Sequence, residues 1–135
     1  MNKIKYITGI KYQLVQDYVT NIGIYGYDIE LPLIKLNPLG RLTIKKFFAW
    51  DGPSGPTIDT KSAMRGSLEH DALYMLLRHE LLPQSERDAI DDRLENICVA
   101  DGMNEFRADM WNALLEPFGK SSANQKNKRE VHEAP

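Results

Sequence analysis

The sequence predicts an α+β domain, with β-structure first and helices after it. Three observations carry this. Apolar residues recur at a spacing near two over much of residues 4–50 and near 3.6 over residues 62–119. The change falls on the run Asp51-Gly52-Pro53-Ser54-Gly55-Pro56, too rich in glycine and proline for a helix or a central strand. No internal repeat is present. Strands followed by helices make an antiparallel sheet or hairpin packed against a layer of about three helices. At 135 residues this is one domain. Residues 1–50 supply the strands, 51–61 the Gly/Pro loop and 62–119 the helices. Residues 120–135 lack a periodic apolar pattern and are expected to be a mobile tail.

The elements follow in order. Residues 4–20 are rich in tyrosine and valine and read as strand, with Gly9 marking a bulge or break. Gly23 and Gly26 bracket a turn. Residues 28–36 read as a second strand with Ile29, Leu31 and Leu33 on one face, and Pro32, which has no N–H to donate, puts it at an edge. Asn37-Pro38-Leu39-Gly40 is a turn, and the alternating Arg41–Lys45 beyond it completes a hairpin.

A first helix starts near Ser62 or Ser67 and runs to about Leu82, where Pro83 stops it. Ser85 is the expected N-cap of a second helix, with Glu86 and Asp88 in its first turn. That helix gathers Ile90, Leu94, Ile97 and Cys98 on one face and ends at Asp101-Gly102. Asn104 caps a third, with Phe106, Met110, Ala113, Leu114 and Phe118 at helical spacing. Met103, Met110 and Trp111 are expected in the core.

Composition narrows the function. One cysteine, Cys98, rules out an internal disulfide. Residues 59–118 hold six Lys/Arg against thirteen Asp/Glu, a poor surface for phosphates, so no nucleic-acid partner is expected. No apolar run approaches the length of a membrane span or a signal core, so no integral membrane segment is expected either. No phosphate-binding glycine loop, paired CxxC or HExxH is present.

The chemistry concentrates at Glu69-His70-Asp71-Ala72-Leu73-Tyr74. On a helix His70, Leu73, Tyr74 and Leu77 share a face, so the imidazole points toward the packing side. On the next helix Asp91 precedes Leu94 by three and Cys98 by seven, which puts its carboxylate on the facing side. A carboxylate behind an imidazole fixes the tautomer and stabilises the imidazolium formed when water is deprotonated. Tyr74 can donate to the same carboxylate. The same residues serve equally as a buried lock between two helices. Asp71 sits about 100° round from His70, free for a cation or a loop contact. Gly52 and Gly55 can turn loop carbonyls to one side, and with Asp51 and Asp71 they could complete an oxygen shell for calcium.

The run 51–56, then His70-Asp71-Ala72-Leu73-Tyr74, then Arg87–Leu94 with Asp91, and finally Gly102-Met103 resembles a family of phage and prophage proteins catalogued as a domain of unknown function. That resemblance covers most of residues 40–119. It implies phage origin, residence in the cytoplasm of the bacterial host or in the virion, and other virion proteins as partners. Locally, a glycine-containing loop, a helix with His-Asp-x-x-Tyr and an Asp on the next helix are similar to calcium-dependent phospholipases of the A-two class. This resemblance implies His70 as the base, Asp91 as its orienter, Tyr74 as the donor to Asp91, and Asp71 with the Gly52/Gly55 loop as the calcium site. Departures are the missing disulfides, the prolines in the loop and the N-terminal strands. The expected function is therefore a calcium-dependent hydrolase of phospholipids or other esters. The alternatives are a non-catalytic virion or tail protein using these residues as a helix lock, and a host-directed binding protein.

Overall fold

The computed structural model describes residues 3–6, 11–52, 61–113 and 131–134, and its architecture is α+β with strands first and helices after. The strands are β1 (Ile4–Tyr6), β2 (Tyr12–Gln13), β3 (Tyr18–Asn21), β4 (Ile29–Glu30), β5 (Ile34–Leu36), β6 (Arg41–Ile44), β7 (Ala49–Trp50) and β8 (His132–Ala134). The helices are α1 (Lys61–Arg78), α2 (Arg87–Ala100) and α3 over 105–113. A four-stranded antiparallel sheet runs in the order β3-β6-β5-β4, and β2–β7 and β1–β8 form two-stranded antiparallel ribbons.

The β5–β6 hairpin is the expected one. Asn37 Oδ1 accepts from the backbone N–H of Leu39 and Arg41 at 3.1 and 2.9 Å, and Gly40 takes φ +84°. Register pairs Ile34 with Ile44 and Leu36 with Leu42, so four fully buried side chains line one face.

The strand expected over 28–36 is instead two short strands. Pro32 sits in the tight turn between them, where Leu31 N–H reaches Ile34 O. The turn moves the buried set from Ile29, Leu31 and Leu33 to Ile29, Ile34 and Leu36, and leaves Leu33 exposed. The strand expected over 4–20 is likewise divided into β1, β2 and β3. Between β6 and β7 the chain turns through Phe47, an exposed non-glycine residue at φ +79°.

Helix α1 lays Leu73, Leu76 and Leu77 on the sheet core, together with Leu82 and Ile90. A second cluster joins Ala63 of α1, Leu94 and Cys98 of α2, Met103, and Ala108 and Trp111 of α3. The two helices approach closely at Gly66, where a Cβ would lie 2.8 Å from Leu94 Cδ1 and 2.9 Å from Cys98 Sγ.

Ser85 does not cap α2. A 3-10 turn over Gln84–Glu86 leads directly into the helix, with no side-chain cap. The C-terminus of α2 is as expected: Gly102 takes φ +103° and its N–H reaches Val99 O, while Met103 N–H reaches Cys98 O. This paired closure satisfies two terminal carbonyls. Asn104 Oδ1 accepts from Phe106 N–H at 2.9 Å and so caps α3.

The face of α3 differs from expectation. Phe106 and Met110 are exposed and Ala108 is buried in their place, while Met103 and Trp111 lie in the core as expected. Residues 132–134, expected within a mobile tail, pair antiparallel with Ile4–Tyr6. Leu114 and Phe118 lie outside the described residues.

Candidate functional site

The site forms where α1 and α2 run antiparallel over the sheet. His70 Nε2 lies 2.7 Å from Asp91 Oδ1, and Tyr74 Oη donates to the same oxygen at 2.6 Å. His70 and Tyr74 are one helical turn apart, and their rings lie 4.0 Å between centroids at 33°. The three residues are buried, with His70 4%, Tyr74 2% and Asp91 7% exposed. An ionised carboxylate accepts and cannot donate, so Nε2 carries a proton toward Asp91, and in the neutral ring the lone pair is on Nδ1. Burial, and then the bond to Asp91, push the Tyr74 phenol well above its ordinary range, so it stays a donor. The sequence expectation that Asp91, rather than the adjacent Asp71, partners His70 agrees with this geometry.

Asp71 stands outside that network. It is half-buried, burial pushes its carboxyl up to about 7, and the positive charge of Arg78 opposes that rise. Trp50, which ends β7, donates from Nε1 to Ser67 Oγ of α1 at 3.1 Å, one turn before Asp71. Gly52 is buried at φ +87°, as a residue turning the chain there requires. Asp51 is partly buried beside it. Gly55, the remaining expected loop ligand, lies outside the described residues.

These positions bear on a calcium site in two ways. A carboxylate that burial penalises is one a cation can stabilise, and a positive-φ glycine suits a loop that offers carbonyls. Among the described residues no group of three or more His, Cys, Asp or Glu is placed to hold a metal.

A second polar network went unread in the sequence. Glu69, 1% exposed, receives both arms of Arg93: Nε donates to Oε1 and Nη2 to Oε2 at 3.4 Å. Tyr18 Oη donates to Glu69 Oε2 at 3.1 Å, and Arg93 Nη2 donates to Thr20 Oγ1 at 3.1 Å. Arg65 extends the network from α1, donating to Tyr18 Oη at 3.4 Å and to Asp101 at 2.9 Å.

Asp91 also lines an open cleft of 480 Å³ between α2 and α3, with Asp88, Asp92, Glu95, Asp109, Asn112 and Ala113. Asn112 donates to Glu95 at 2.6 Å and to Asp92 at 3.3 Å. A hydrogen bond with Asp109 is the main influence raising the Glu95 carboxyl. No helix among the described residues is long and apolar enough to cross a membrane. Comparison with known proteins found no matching family model, no matching curated protein and no matching solved structure.

Proposed function

We propose that this protein hydrolyses esters, phospholipid esters among them, with His70 as the general base. The observation that carries the reading is the convergence of His70 Nε2 and Tyr74 Oη on one oxygen of Asp91. In this scheme His70 Nδ1 takes a proton from water as the water attacks the ester carbonyl. Asp91 keeps the ring in the Nε2–H tautomer and stabilises the imidazolium as it forms. Tyr74 holds the Asp91 carboxylate in place. The protonated ring then returns its proton to the leaving alcohol.

Calcium is part of the proposal. Asp71 and the loop beginning at Asp51-Gly52, with Gly55, would hold it, and the bound ion would supply Lewis-acid polarisation of the carbonyl. The test is hydrolysis of a short-chain phospholipid and of a simple aryl ester, with and without chelator. His70→Gln should abolish turnover while leaving the circular dichroism spectrum unchanged. Turnover that survives both His70→Gln and chelator overturns the reading.

The burial of His70, Tyr74 and Asp91 favours a second reading, a phage structural or assembly protein in which the triad locks α1 to α2. Under it His70→Gln lowers the melting temperature markedly, no ester is turned over, and the protein co-purifies with virion or tail particles.

A further inference from the structure

We propose that the Glu69–Arg93 pair, anchored on β3 by Tyr18 and Thr20, is a positioning element that holds Asp91 in register with His70. The inference rests on the general-base reading for its effect on rate, and on geometry alone for its effect on the imidazole.

The two polar links sit on opposite margins of each helix. At about 100° per residue, Glu69 and Tyr74 fall on opposite flanks of the α1 packing face, with His70 between them. On α2, Asp91 and Arg93 are about 160° apart, on the two edges of the strip formed by Ile90, Leu94 and Cys98. The α1–α2 seam is thus apolar along its middle and polar along both margins. One margin carries His70–Asp91–Tyr74 and the other carries Glu69–Arg93.

The apolar strip between the margins limits a roll of α2 about its own axis but does not fix it to a fraction of an ångström. The His70–Asp91–Tyr74 link resists it at one margin only. Side-chain ends sit about 5–6 Å from that axis, so a roll of about 10° displaces them by about 1 Å. A displacement of that size stretches the 2.7 Å bond between His70 and Asp91 beyond hydrogen-bonding range. A second link on the far margin removes this freedom. Its geometry suits the task, because a guanidinium fork against a carboxylate fixes direction as well as distance.

The sheet supplies the fixed frame. Glu69 Oε2 accepts from Tyr18 and Arg93 Nη2 donates to Thr20, both inward-facing residues of β3, and both at 3.1 Å. Arg93 is therefore held by α1 and by the sheet at once, and it carries α2 with it. A buried ion pair is a poor source of stability compared with apolar residues of similar volume. Registry is the better-supported use of such a pair.

The test compares wild type, Glu69→Gln and Arg93→Lys. Lysine keeps the charge and loses the fork. Two readouts are taken: the ring ¹⁵N signals of His70 in long-range NMR correlation, identified against His70→Gln, and kcat and KM on an aryl ester. Wild type should show the single Nε2–H tautomer. Glu69→Gln should show a mixed signature and a kcat lower by about 10- to 100-fold, with KM within about twofold. Arg93→Lys should fall between them.

Folded variants with the wild-type ¹⁵N signature and kcat overturn the proposal, even if their melting temperatures fall, because a merely structural pair would change only stability. If Glu69→Gln does not fold, Arg93→Lys decides in the same way. If wild type turns over no ester, the general-base reading fails, and the ¹⁵N comparison alone supports or overturns the positioning role.

Discussion

Tyr74 and His70 approach the same oxygen of Asp91, at 2.6 and 2.7 Å. Two donors on one oxygen of a buried carboxylate fix its rotation as well as its position, so the three side chains behave as one unit. Tyr74→Phe removes one charge-assisted bond and should cost about 1.5–3 kcal/mol in urea unfolding. Asp91→Ala strands the unit without its acceptor and should cost about 3–5 kcal/mol. The double variant should cost clearly less than the sum. Additive losses would show that the two bonds are independent.

Asp91→Asn keeps the shape and removes the charge. It should lower turnover by about 10³-fold or more, since the amide can select the wrong imidazole tautomer and does not stabilise an imidazolium. Steady-state kinetics on the aryl ester provides the check, and a variant within tenfold of wild type would exclude Asp91 as the orienter.

Metal removal separates Asp71 from the triad. In chelator, Asp71→Asn should be at least as stable as wild type, because it removes a carboxylate that burial disfavours. Calcium at about 100 times its dissociation constant should stabilise wild type by about 2.7 kcal/mol and leave Asp71→Asn unmoved. Equal responses in thermal denaturation would remove Asp71 from the ligand set.

Gly66 sets the α1–α2 distance. Gly66→Ala would bring a methyl within 3 Å of Leu94 Cδ1 and Cys98 Sγ. The side chains can give only part of the required room, so the expected loss is about 1–3 kcal/mol by chemical denaturation. Cys98 itself is fully buried, and burial pushes its thiol up to about 11. It should resist a thiol reagent at neutral pH until denaturant opens the interface.

The pH dependence has a readable acid limb. Asp17 accepts from Lys45 Nζ and from Lys46 N–H, both at 2.8 Å, and these bonds hold its carboxyl below the usual range. A lowered carboxyl contributes stability that is present above its unfolded value of 3.8 and is lost as pH falls through the lower folded value. Asp17→Asn should therefore flatten the dependence of stability on pH below about 4, while leaving the slope at neutral pH unchanged.

The fold and the triad were legible to different depths. The period change at Asp51 separates strand from helix, and the spacing of His70, Leu73 and Leu77 with that of Asp91, Leu94 and Cys98 points the two polar residues at each other. Glu69 and Arg93 were not legible, since each lies at the margin of its helix, where an acid or a base ordinarily meets water. The burial of Glu69 and the half-burial of Arg93 go with their contacts to β3, a long-range packing effect that helix periodicity does not encode. The face of α3 departs from the helical pattern because Phe106 and Met110 make an apolar stripe that competes with the buried one through Ala108 and Trp111, of which only Trp111 was expected in the core. The Ser85 cap was misread because a 3-10 turn already supplies the entry into α2.

Phe47 carries a consequence of its own. A bulky side chain in the left-handed region costs about 1–2 kcal/mol, and here the ring is 60% exposed and recovers little of that by burial. Phe47→Gly should therefore raise the melting temperature, read by thermal denaturation. Phe47 lies in the connection that carries the chain from the four-stranded sheet into the β2–β7 ribbon, so the penalty is borne by the link between the two sheets and not by either sheet.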